Sequence, residues 1–135
     1  MPRFGDYNPF VKQFGMITTT KFGYETGAGS TVTQATNRAT GVTIDTLCGA
    51  ITTNSASLAA EASAEFVVTD SRVDINDIVI VSIRSGTIGT GTIVSVSAVA
   101  AGSFTIRVHN GNVAAGTAET GAIVINFAVI KAVSV

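Results

Sequence analysis

The sequence predicts an all-β protein, an antiparallel β-sandwich of about eight strands with an extended N-terminal arm. Three observations point there. From Thr31 onward the chain is rich in Thr, Val, Ala and Ile and is cut by frequent turn residues. Several segments between those turns alternate apolar and polar side chains, the period of a strand with one buried face. The opening is composed differently: Phe4, Tyr7, Phe10, Phe14, Phe22 and Tyr24 crowd the first 24 residues together with both prolines, Pro2 and Pro9, leaving Phe66, Phe104 and Phe127 for the rest.

The opening reads as an arm, residues 1–25, because its prolines break helix and favour an extended or turning path. Gly27, Ala28, Gly29 and Ser30 form a flexible joint where the body, residues 26–135, begins. Strands are expected over residues 31–35, 41–46, 48–52, 64–70, 78–84, 92–99, 103–109 and 122–131. Alternation is clearest in the seventh, with Phe104, Ile106 and Val108 facing in and Thr105, Arg107 and His109 facing out. Phe66 with Val68 repeats it, as does Val94 with Val96. Residues 78–81 are continuously apolar, and 123–130 carry large aliphatics on both faces. Such strands have both faces covered, by a second layer or by a contact between subunits. Residues 55–64 (SASLAAEASA) favour helix by composition, but Leu58 is their one large apolar residue, so a loop is expected.

Composition narrows the function classes. Eight Lys+Arg stand against nine Asp+Glu, a net charge of −1, which leaves no electrostatic footprint for nucleic acid or an anionic membrane. Charged residues make up 13% of the chain, against about 25% in an average soluble protein, and mean hydropathy is +0.46. Part of so charge-poor a surface is expected to lie buried against copies of the chain or against a partner. The longest apolar-leaning run, 122–130, is interrupted by Asn126 and is far shorter than the roughly 20 residues of a membrane helix. The start, MPRFGDYNPF, lacks the pattern of a secretory signal, so the chain is expected to be made and kept in a cytoplasm. Cys48 is the only cysteine; within LCGAI it reads as a small buried apolar residue.

The residues that could carry chemistry resolve into turn and surface positions. His109 is the only histidine, and it sits outward at a strand end beside Asn110-Gly111, a hairpin signal. The glycines of GTIGTGT, residues 86–92, resemble a phosphate-cradling loop, yet a strand follows where such a loop would open a helix. Asp70, Asp74 and Asp77, with Asn76, form a local acid cluster without the spacing or closing glutamate of an EF-hand; they read as solvated turn residues. No catalytic residue, metal or cofactor is therefore expected. The arm remains: six aromatics in 24 residues contradict a disordered tail, and large aromatics are what buried interface anchors are made of. Phe4, Tyr7, Phe10, Phe14, Phe22 and Tyr24 are thus expected to dock on a partner.

The segments TGAGSTVTQATNRATGVTIDTLCGAITT, FVVTDSRV, DIVIVSI, AVAAGSFTIRVHN and AIVINFAVIK, between Thr26 and Lys131, resemble a domain recurrent in structural proteins of tailed bacteriophages, the capsid decoration (cement or head-fibre) proteins. The resemblance implies a homotrimer on the outer capsid surface of a virion, seated on the major capsid protein and holding the shell together, with no enzymatic role. It places Thr43, Cys48, Gly49, Phe104 and Phe127 at core and turn positions. Ile125, Phe127 and Val129 are expected at the contact between subunits. A tail or baseplate component is the alternative, and a glycan-binding module a weaker one, since the body has no Trp or Tyr after residue 24 to form a sugar platform.

Overall fold

The computed structural model describes residues 22–132, which form two packed four-stranded sheets with no helix among them. The strands are β1 (Ser30–Thr33), β2 (Val42–Thr43), β3 (Cys48–Thr52), β4 (Ser63–Thr69), β5 (Ile78–Ser85), β6 (Thr92–Ala100), β7 (Ser103–Asn110) and β8 (Val124–Ile130). One sheet has the order β1-β3-β8-β5, the other β2-β4-β7-β6. The expected sandwich of eight strands is observed, and residues 55–64 carry no helix.

The sheets are mixed where uniformly antiparallel ones were expected. β1 pairs with β3, and β2 with β4, in parallel. The path of the chain is the cause. From β1 to β4 successive strands alternate between sheets, so two neighbours in one sheet are separated by a strand in the other, and the chain re-enters each sheet in its original direction. The β3–β8, β5–β8, β4–β7 and β6–β7 pairs are antiparallel.

The core lies between the sheets. Ile51 of β3 and Ile125, Phe127 and Val129 of β8 meet Phe66 and Val68 of β4 and Phe104, Ile106 and Val108 of β7, all of them buried. Fully burying a side chain of this size contributes roughly 1.5–3 kcal/mol. Phe104 and Phe127 bridge the layers with ring centroids 5.4 Å apart and planes tilted by 45°. Gly49, opposite Phe127 in the β3–β8 register, makes room for that ring: a Cβ there would stand 3.0 Å from it and 2.4 Å from the Ser30 carbonyl oxygen.

Candidate functional site

Strand β8 decides which residues can meet a partner. Ile125, Phe127 and Val129, expected at a contact between subunits, point into the core and have no surface to offer a neighbouring copy. Because side chains alternate across a strand, the outward row of β8 is the other set: Val124, Asn126, Ala128 and Ile130. The register places Ile78 of β5 beside Ile130, Ile80 beside Ala128, and Ser82 beside Asn126. Ile78 is 56% exposed, Ile80 51% and Ile130 39%. Among the described residues no second layer of this chain covers the outward row of residues 78–81, which leaves a contact between subunits as the remaining way to cover it.

The neighbouring strands extend this face without adding charge. Cys48 pairs with Ala128, Ala50 with Asn126 and Thr52 with Val124, and Thr31 and Thr33 follow on β1. No Asp, Glu, Lys or Arg stands in the outward rows from Ile78 to Ser82 across the sheet. The other sheet is different: its outward rows carry an exposed ion pair, Arg107 Nε to Glu65 Oε1 at 2.8 Å, and His109. Cys48 is half-buried on the uncharged face, with burial pushing its thiol up, rather than a core residue.

The glycine loop proves to be a cradle already filled by the protein. The amides of Ile88 and Gly89 and the hydroxyl of Thr92 donate to the carboxylate of Glu119, with Gly121 N–H as a further donor at 2.7 Å. Burial alone would raise this carboxyl, but the hydrogen bonds from Thr92, Ile88, Gly121 and Gly89 outweigh it and hold the group below the usual range. Gly86 and Gly121 permit the close approach, since a Cβ on Gly121 would stand 1.8 Å from the Gly86 carbonyl oxygen.

Arg38, also buried, gathers the adjoining loops. It donates to the carbonyls of Ala56, Glu119 and Gly121 and to Thr53 Oγ1. Burial pulls its pKa down while Glu119 opposes that. These two residues form a structural knot at one end of the sandwich, one that sequence reasoning missed. A signal existed: in a chain with so few charges, a Glu set within TAETGA, between predicted strands, has a specific job.

The acid cluster is likewise occupied from within. Lys131 Nζ lies 2.8 Å from Asp74 Oδ2 and 2.5 Å from Asp77 Oδ2, and donates to the Arg72 carbonyl. Asp77 is buried, which would raise its carboxyl, but Lys131 and the amides of Asp74 and Ala132 hold it below the ordinary range. Asp74 is exposed, and Asp77 has left the solvent for this ion pair. Asp70 takes no part: it is buried, accepts the Arg72 amide on Oδ1, and leaves Oδ2 without a partner, so burial pushes its carboxyl up. Among the described residues no group of three or more His, Cys, Asp or Glu is arranged to hold a metal ion.

His109 Nδ1 lies 2.9 Å from Ser63 Oγ, across the β4–β7 ladder. The pair is exposed on an open sheet face, and no carboxylate among the described residues hydrogen-bonds the ring. It makes a cross-strand hydrogen bond without the acid that would orient a catalytic base.

Of the arm aromatics, Phe4, Tyr7, Phe10 and Phe14 lie outside the described residues. Phe22 is 74% exposed and Tyr24 43%. The Tyr24 hydroxyl donates to the Val129 carbonyl at the rim where β8 ends, next to the Ile78–Ile130 row. The arm therefore leaves the body at the edge of the uncharged face. Comparison of the chain with protein-family models, with curated proteins and with solved structures finds no significant match.

Proposed function

We propose that the protein is a non-enzymatic structural component of a bacteriophage virion. In this reading it is a capsid decoration protein that sits as a homotrimer on the outer capsid surface, bridges major capsid protein subunits and docks on them through its N-terminal arm. The observation that carries the reading is the outer face of the β1-β3-β8-β5 sheet, where half-exposed Ile78, Ile80 and Ile130 stand together and the one charge of β5, Arg84, lies toward its far end. Such a surface is most stable when buried against protein. Two further features support it: the aromatics concentrated in the arm, and the resemblance of the body segments to phage decoration domains. Neither a cofactor nor a metal belongs to this reading, and neither nucleic acid nor a membrane is a partner in it.

The test keeps the whole chain. Replacing Phe4, Tyr7 and Phe10 by Ser alters none of the residues that build the sandwich, so the β circular-dichroism signal should persist while co-sedimentation with undecorated capsids is lost. Undiminished co-sedimentation overturns arm docking. Light scattering at micromolar concentration should give three times the 13.7 kDa chain mass, and a one-chain mass overturns the trimer. Gold-labelled protein should decorate heads; label confined to tails would transfer the protein there.

A further inference from the structure

We infer that the trimer closes through its strand edges: β6 of one copy adds to β5 of the next, joining their sheets around a threefold axis. The inference rests on the trimer of the proposed function and names the surface that builds it. Among the described residues β5 pairs only with β8 and β6 only with β7, so each is the outermost strand of its sheet. The two lie against each other on one side of the sandwich. No backbone hydrogen bond among the described residues leaves the outer edge of either.

Natural sheets blunt a long free edge with charge or proline, because its unpaired N–H and C=O groups recruit another strand. This side has little of either. No charged residue falls between Arg84 and Arg107, and both prolines lie in the arm. The core is also unfinished here: Val79, Val81, Ile83, Val94 and Val99 face inward yet stay partly buried, whereas the inward rows of β7 and β8 are buried.

Charge and length select a second copy of this chain as the occupant. A charged strand pairing here would have to desolvate its charges against Val and Ser. The partner edge is therefore uncharged along the contact and of similar length. Of the chain's free edges, β5 with eight residues and β6 with nine qualify, while β1 has four and β2 two. A threefold ring needs two different surfaces on each copy, which β5 and β6 supply. The loop 86–91 turns the chain back, so the two strands run in opposite directions. Rotation about an axis along the strands keeps that sense, and β6 meets β5 of the next copy antiparallel. It also keeps height along the axis. Ser85 and Thr92 flank the loop, and counting back from them sets Ser95 opposite Ser82 and Ser97 opposite Ile80, outward row to outward row. The bulges at Ile83/Ser85 and Val96/Ala98 supply the bend with which a sheet passes from copy to copy.

The experiment is disulfide trapping in the full chain carrying Cys48→Ser. Ser82→Cys with Ser95→Cys puts thiols on opposed residues, whose Cα atoms stand about 4.5–5.5 Å apart in an antiparallel pair, within the span of about 4.4–6.8 Å that a disulfide bridges. Within one copy the two serines face outward from opposite sheets, so any disulfide between them joins copies. Oxidation at micromolar protein should give covalent dimers and trimers on a denaturing gel, and either cysteine alone should give single chains. Dimers from Ser95→Cys alone would assign β6 to another β6 and overturn the inference. Single chains from the double variant, with a light-scattering mass still of three chains, overturn it as well and leave the trimer standing. A one-chain mass for the unaltered protein overturns the trimer itself. In the native-cysteine chain, Ser82→Lys with Ser95→Lys sets like charges opposite each other and should reduce the mass to one chain, while Ser82→Lys with Ser95→Glu keeps three. An unchanged mass for the lysine pair overturns the edge pairing.

Discussion

Replacing Glu119 by Ala should destabilise the protein more than any substitution on its surface. The carboxylate is fully buried and accepts from Ile88 and Gly89 N–H, from Thr92 Oγ1 and from Gly121 N–H. Its removal strands those four donors, each of which costs about 1–3 kcal/mol when left buried without a partner, so a loss of about 3–5 kcal/mol is expected once water reaches some of them. Whole domains are stable by about 5–15 kcal/mol, so the loss is a large share. With a urea slope near 2 kcal/mol/M the midpoint should fall by about 2 M. Glu119→Gln keeps the shape but loses the charge and turns an NH₂ toward donors, costing about 1.5–3 kcal/mol. The folded carboxyl titrates below its ordinary 4.5, so its contribution is complete above that pH and is lost as pH falls through the folded value. The gap between wild type and Glu119→Gln should therefore close in acid. Urea titrations at neutral and acidic pH measure both quantities. A loss for Glu119→Ala within the ordinary surface range of about 0.5 kcal/mol refutes the reasoning, as does a gap that ignores pH.

Phe127→Ala should cost about 3–5 kcal/mol in the same titration, and Ile80→Ser less than about 1 kcal/mol, because one faces the core and the other faces out. Asp70→Asn should raise neutral-pH stability by about 1 kcal/mol, since burial pushes this carboxyl up and Oδ2 has no partner. With its folded pKa above the ordinary value, wild type gains stability as pH falls through that folded value, and the variant should lack the gain in melting scans. Lys131→Met should cost about 1–2 kcal/mol at neutral pH, discounted for the half-exposed lysine, by leaving Asp77 buried without its cation. Because Asp77 is lowered and Lys131 raised, that cost should be level between about pH 5 and 9 and should shrink in acid as Asp77 protonates. Millimolar calcium should leave the wild-type melting temperature unchanged, since Lys131 already stands between the carboxylates.

The strands were legible because period-two alternation and turn residues are local properties. Ser103–Asn110 lies one residue from the expected 103–109, and Phe66, Val68, Phe104, Ile106 and Val108 all point inward as their spacing implies. Alternation has no power where both faces are apolar. In β8, Ile125, Phe127 and Val129 cannot be told from Ala128 and Ile130 by period, and only their position against Gly49 and Phe104 across the core settles which row is inside. The parallel pairs were illegible for another reason: they depend on which sheet each short strand joins, and β2 has two residues with which to signal it. The Glu119 carboxylate lies 27–31 residues from three of its donors, Ile88, Gly89 and Thr92, and no local pattern announces a bond of that span.

The knot of Arg38 and Glu119 also bears on the order in which the protein assembles. Arg38 reaches Glu119 across 81 residues and Gly121 across 83, so these bonds close only after most of the chain has been brought together. The entropy of that closure is met first by the two sheets, and the loop end should be the last region to form and the first to open. Substitutions there should speed unfolding far more than they slow folding, leaving the lifetime of the folded protein, rather than its birth, in the keeping of two buried charges.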